Sequence, residues 1–162
     1  TVPTFAGINH VALTVRDLDV SQRFYCDLLD FTMVLDIGHG RVCLHRLSGF
    51  SLALLRPEGA SGDRFSAWRT GLDHLGLAAG SRAELVEWEQ RLRAAGVASS
   101  PIQDMPFGHH LNFTDPDGIA LELQAPNDLY LAALEEIRTT DISEDDVRSR
   151  AAALLQAATP VG

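Results

Sequence analysis

Three side chains carry the most specific chemical signal in this 162-residue chain: His10, His74 and Glu122. A single histidine in a strand is ordinarily a core or surface residue, yet these two recur at one place in two similar stretches. Ile8-Asn9-His10-Val11-Ala12-Leu13 is matched 64 positions later by Leu72-Asp73-His74-Leu75-Gly76-Leu77. A pseudo-twofold relation between the stretches would put both imidazoles in equivalent places. Glu122 lies between Leu121 and Leu123, where a carboxylate withdrawn from water needs a partner. Strand alternation offers a plainer alternative, in which Ala120, Glu122 and Gln124 simply share a wet face. Two imidazoles and a carboxylate leave positions open on an octahedral or five-coordinate divalent ion, as substrate binding or oxygen chemistry requires. Fe(II), Mn(II), Zn(II), Ni(II) and Co(II) all suit this donor set.

A duplicated unit must position these residues, because the repetition extends well beyond the histidines. After each histidine strand comes an amphipathic helix. Asp19 to Leu29 aligns Val20, Phe24 and Leu28, and Ser81 to Ala94 aligns Leu85, Trp88 and Leu92. Both have start signals, Asp19 ahead of Gln22 and Ser81 ahead of Glu84. Gly96 ends the second helix, whereas Asp30 holds that place in the first and must tolerate a left-handed backbone. Each half closes with two strands around a glycine turn. These are Arg41 to Leu47 and Phe50 to Arg56 around Ser48-Gly49, then His109 to Thr114 and Ile119 to Ala125 around Asp115-Pro116-Asp117-Gly118. Leu52 to Pro57 overlays Leu121 to Pro126 at an offset of 69, so the second half carries the longer loop.

The expected fold class is α+β, with two tandem βαβββ modules forming a mixed sheet. The modules cover about 8–57 and 72–126, a single domain over 8–126 followed by a helical extension over 127–158. Glu58 to Thr70 connects the modules, and Asn127 to Arg138 and Ser143 to Ala158 are the added helices. Their apolar Leu129, Leu131, Leu134, Ile137, Val147, Leu154 and Leu155 are expected to cover a sheet or a dimer interface.

Asp-Pro-Asp-Gly suits a type I turn with glycine as a left-handed bulge residue, closing a three-residue loop. That register sets Asp115 opposite Ile119 and Asn112 opposite Glu122, with His110 two residues along the same face. His110 and Asn112 are therefore expected to look into the site. An imidazole titrating near neutrality suits proton transfer, and an amide suits orienting a bound oxygen. The alternative for His110 is an ordinary exposed strand histidine. His109 falls on the opposite face, and His39 and His45 have no assigned role. Carried to the first half through Gly49, the register aligns Ala53 with Glu122, Cys43 with Asn112 and Arg41 with His110, leaving the first carboxylate position empty.

Bulk properties narrow the partners. With 46% hydrophobic and 22% charged residues the chain is expected to build one globular core, and no apolar stretch approaches the roughly 20 residues of a membrane helix. A net charge of −9 and the absence of a basic run count against nucleic acid and anionic membrane. A small-molecule substrate and a second copy, as a homodimer, are the expected partners. Cys26 and Cys43 form no CxxC motif, which points to reduced thiols, and Thr1-Val2-Pro3-Thr4 lacks the regions of a secretory signal. A cytoplasmic location is expected.

The sequence resembles the vicinal oxygen chelate superfamily, which includes glyoxalase I, extradiol dioxygenases, fosfomycin-resistance transferases, methylmalonyl-CoA epimerase and bleomycin-resistance proteins. The resemblance spans residues 8 to about 126. It rests on Ile8 to Leu13, Arg23 to Phe31, Leu72 to Leu75, and Phe113 to Gly118 with Glu122. It implies a cup-shaped sheet around one divalent metal held by His10, His74 and Glu122, a substrate that chelates it through neighbouring oxygens, and frequent dimers. The usual glycine before Phe31 is Asp30 here. Ala53 lacks the fourth ligand typical of glyoxalase I and the epimerase. Ala12 and Leu131 replace the threonine and arginine typical of the fosfomycin enzymes, and Asn112 replaces the tyrosine typical of extradiol dioxygenases. The implied function is a metal-dependent enzyme, dioxygenase-like or glyoxalase/lyase-like. The alternative is a non-catalytic binding protein of the bleomycin-resistance type, and intact ligands favour catalysis.

Overall fold

The repeat read from the histidines appears as two β-α-β-β-β runs in the computed structural model, which describes residues 1–158. The first run comprises β1 (His10–Thr14), α1 (Leu18–Arg23), β2 (Thr32–Asp36), β3 (Gly40–His45) and β4 (Phe50–Leu55). The second comprises β5 (Leu75–Ala78), α2 (Arg82–Ala94), β6 (Gln103–Met105), β7 (Gly108–Thr114) and β8 (Ala120–Pro126). Helices α3 (Asp128–Thr139) and α4 (Glu144–Ala158) follow. Two four-stranded mixed sheets result, in the orders β1-β4-β3-β2 and β5-β8-β7-β6. The chain divides into one unit of residues 1–73 with 114–120, and another of 74–113 with 121 onward.

Pairing registers confirm the duplication. Parallel β1 and β4 set Ala12 beside Ala53, and parallel β5 and β8 set Gly76 beside Glu122, as the two sequence offsets require. The strands begin later than the apolar pattern suggests, so His10 is the first residue of β1 and His74 immediately precedes β5. Upstream of β1, Ile8 is 82% exposed, and its apolar character therefore reports no buried strand.

The first hairpin departs from the expected register. Cys43 faces Leu52, and Ala53 faces Val42. The cause is the turn: His45 pairs with Phe50, and the Gly49 N–H donates to the His45 carbonyl across a four-residue loop. The Asp115 turn keeps its three-residue form, with the Asp115 N–H donating to the Ile119 carbonyl and Gly118 at φ +79°. One extra loop residue shifts every cross-strand partner by one.

The first helix departs too. Its cap is Asp17, whose carboxylate accepts from the N–H groups of Asp19 and Val20, rather than Asp19 itself. The inward residues are Ser21, Tyr25 and Leu29, not Val20, Phe24 and Leu28. From Phe24 to Leu28 the helix widens into a π turn, and the hydroxyl of buried Tyr25 donates to Asp115 at 2.8 Å. Asp30 adopts φ +63°, as expected of the residue replacing glycine. In the second run Ser81 caps α2 through the Glu84 N–H, and Leu85 and Leu92 are fully buried. Trp88 is only partly covered and lies under the Arg91 guanidinium.

Asp115 organises its turn. It accepts from the N–H groups of Asp117 and Ile119 as well as from Tyr25, and burial raises its carboxyl above the usual range. Burial likewise raises the Tyr25 phenol. Tyr25→Phe leaves Asp115 desolvated with one donor fewer, and is expected to cost about 1–3 kcal/mol in urea unfolding. A loss below 0.5 kcal/mol, roughly the floor for a net hydrogen bond, would show that the contact does not hold the turn.

The Sγ atoms of Cys26 and Cys43 stand 3.9 Å apart as free thiols, with burial raising the Cys43 thiol to about 12. Asn127 caps α3 through the Tyr130 N–H and ties it to the Pro106 and Phe107 carbonyls. No residue of α3 is fully buried, and Leu129, Leu131 and Leu134 remain partly exposed. The Leu154 side chain lies outside the described residues. No described helix is long and apolar enough to cross a membrane.

Candidate functional site

In the second unit, parallel pairing of β5 with β8 carries Glu122 toward His74. Leu121, Leu123 and Ala125 bury one face of β8, and alternation turns Ala120, Glu122 and Gln124 to the other. That face is not uniformly wet, because Gln124 is exposed while the Glu122 side chain retains only 17% of its accessibility. Its Oε2 lies 3.9 Å from the Nε2 of His74. Two donor atoms on one ion, each bonded at about 2.1 Å, can stand up to about 4.2 Å apart. The imidazole and carboxylate suit a shared divalent metal in chemistry, and at 3.9 Å they lie inside that limit, though wider than the roughly 3.0–3.4 Å between adjacent octahedral or tetrahedral donors. Gly76, level with Glu122 in the pairing, keeps side-chain bulk away from the carboxylate.

His10 stands exposed at the head of β1 in the first unit. Its Nδ1 meets the Asn9 Oδ1 at 2.8 Å, and because a carbonyl oxygen only accepts, this bond places the ring proton on Nδ1. The Nε2 lone pair is then the one presented to a ligand, the usual outer-sphere arrangement for a metal-binding imidazole. Among the described residues no three His, Cys, Asp or Glu side chains gather closely enough to hold a metal. The contact that the structure does form is the His74–Glu122 pair.

His110 and Asn112 share the half-exposed face of β7, opposite buried Leu111 and Phe113. The His110 Nε2 donates to Gln103 Oε1 at 3.0 Å, which leaves Nδ1 as the acceptor nitrogen. Asn112 is fixed by its backbone, whose N–H donates to Ser100 Oγ and whose carbonyl accepts from the Ser100 N–H. His109, on the opposite face, donates to Asp104 at 2.6 Å. Arg82 first, and His109 with it, hold the Asp104 carboxyl below its usual range. His109 is thereby committed to a hydrogen-bonded cluster with Asp104 and Arg82.

Sequence reasoning passed over Asn9, whose role as partner of His10 had a visible signal in the polar residue, Asp73, that precedes His74. It also passed over Asp117. The Asp117 carboxylate accepts from both the Arg16 N–H and the Arg16 Nε, a contact across 101 positions that no local pattern announces.

Residues 7–123 match the family model described as the Glyoxalase/Bleomycin resistance protein/Dioxygenase superfamily. A solved glyoxylase/bleomycin resistance protein/dioxygenase domain from Frankia sp. EAN1pec is 38% identical, with a TM-score of 0.70 over 76% of this chain and 100% of its own. Genomically encoded fosfomycin resistance protein FosX from Listeria monocytogenes, solved as a mutant with Mn(II) and a dihydroxypropylphosphonic acid, is 21% identical. Its TM-score is 0.63 over 78% of this chain and 95% of its own. Lactoylglutathione lyase from Agrobacterium tumefaciens is 24% identical, with a TM-score of 0.61 over 76% and 96%. The last two similarities establish a shared fold.

Proposed function

Because the chain belongs to the Glyoxalase/Bleomycin resistance protein/Dioxygenase superfamily, we propose that it is a divalent-metal-dependent enzyme acting on a small substrate with neighbouring oxygens. The approach of His74 to Glu122 at 3.9 Å carries this reading. His10, His74 and Glu122 hold the ion, drawn from Fe(II), Mn(II), Zn(II), Ni(II) and Co(II). The bound metal supplies Lewis acidity toward substrate oxygens. Asn9 keeps the His10 lone pair on Nε2, and Glu122, largely desolvated, contributes a carboxylate that gains most from a cation. His110 moves a proton at Nδ1 while Gln103 holds the ring, and the Asn112 amide orients a bound oxygen. Exposed Leu131 and Leu134 of α3 suit the interface of a homodimer.

The test is elemental analysis of protein purified without added metal or a histidine-rich tag. About one equivalent per chain supports the reading, and its identity directs the assay, oxygen uptake for iron, isomerase and lyase substrates for nickel, cobalt or zinc. Failure to bind any metal after reconstitution overturns it in favour of a ligand-binding role. With an assay in hand, His110→Ala is expected to lower turnover about 10²- to 10⁴-fold while metal content stays near normal. Unchanged turnover removes its proton-transfer role.

A further inference from the structure

The first unit contains a cavity of about 360 Å³ that uses none of the residues discussed as metal ligands or proton carriers. It is walled by β1 from Ala12 onward and the chain after it to Arg16, by Arg56 after β4, by the connecting segment between the two runs, and by Asp117 and Ile119 at the Asp-Pro-Asp-Gly turn. Its volume falls within the range of small-molecule sites, at roughly 300–1,000 Å³.

Its charge is the reverse of the chain's. Against a net charge of −9 for the protein, Arg16, Arg56, Arg64 and Arg69 line the cavity with only Asp63 and Asp117. Arg16 is neutralised by Asp117, at 2.7 Å from its Nε. Among the described residues the other three have no carboxylate partner. Arg56 donates a single 3.4 Å bond to the Val15 carbonyl, and Arg64 and Arg69 form no hydrogen bond or ion pair with another described side chain. Gathering three uncompensated guanidinium groups around one cavity is repulsive unless an anion joins them.

The wall is built as well as charged. Asp117 is only 5% exposed and grips Arg16 through both main chain and side chain. Its carbonyl accepts from the Phe65 N–H at 3.0 Å, fastening the connecting segment to the Asp-Pro-Asp-Gly turn. Gly118 leaves room for Arg64, whose Nη2 would lie 3.0 Å from a β-carbon placed there. One turn thus seats two of the four arginines.

We propose that this cavity binds a small molecule through a doubly charged oxyanion, a phosphate monoester or a dicarboxylate, held by Arg56, Arg64 and Arg69. Guanidinium groups match both anions through paired N–H donors. The test titrates the full chain calorimetrically with inorganic phosphate and, separately, with succinate. The expected result is saturable binding of at least one, with Kd on the order of 1 mM or tighter. It weakens about tenfold or more in Arg56→Gln/Arg69→Gln and several-fold in Arg69→Gln alone, an exposed substitution that spares the fold. It is unchanged in Arg23→Gln, outside the cavity, and in Glu122→Ala. Which anion binds identifies the head group. No saturable binding of either, or affinity that survives the double substitution, overturns the proposal. Binding lost in Glu122→Ala but kept in the arginine variants places the anion on the metal and overturns it equally, while leaving the metal reading intact.

Discussion

Glu122→Ala and His74→Ala are each expected to reduce bound metal from about one equivalent to background, because losing an inner-sphere ligand exceeds the 10–100-fold cost of altering its outer-sphere support. The two side chains already converge at 3.9 Å, and Glu122 is the more covered. Loss of metal through unfolding has a different signature. Without metal, Glu122 is a largely desolvated carboxylate inside an apolar strand, so its replacement by alanine should leave metal-free stability unchanged or slightly higher. Adding metal at about 100 times its Kd should raise the stability of the unsubstituted protein by roughly 2.7 kcal/mol and leave the variants unmoved. Thermal unfolding with and without metal reads both quantities. An equal metal-induced stabilisation in Glu122→Ala would exclude this carboxylate as a ligand. His10→Ala extends the test to the first unit, and retention of full affinity there would restrict the site to the second.

Gly108→Ala is expected to be the most destabilising glycine-to-alanine change among the described residues, at about 2–5 kcal/mol by urea unfolding. Gly108 opens β7 at φ +149°, and a β-carbon there would sit 2.3 Å from the Ala125 carbonyl oxygen and 2.9 Å from the Pro126 Cα. Both are backbone atoms of β8, so relief requires separating the strands that carry Asn112 and Glu122. Gly49→Ala is the control. Gly49 has φ +75° but nothing within 4 Å of a β-carbon, so it should cost only the left-handed strain of about 1–2 kcal/mol. Similar losses in the two variants would mean that the clash at Gly108 relaxes freely. If β7 shifts instead, metal affinity of Gly108→Ala should fall together with its stability.

The sequence by itself determined the duplication, the class of fold and the matching places of His10 and His74 at the start of the first strand of each run, because repeated strand and helix patterns are local and survive divergence of everything between them. It also determined Asp30 in a left-handed backbone and the three-residue Asp115 loop, since both follow from short-range sterics. Only the tertiary structure decided which residues of the first helix face inward. The Tyr25 hydroxyl finds Asp115 across 90 positions, and the π turn brings Tyr25 rather than Phe24 to the core. The first hairpin register also belonged to the fold, since glycine marks a turn without stating its length and one added loop residue moved Cys43 from Ala53 to Leu52. The arginine cavity was invisible in sequence for the same reason. Arg16, Arg56, Arg64 and Arg69 form no basic run, and they come together only because Asp117 binds Arg16 and, through its carbonyl, the segment at Phe65.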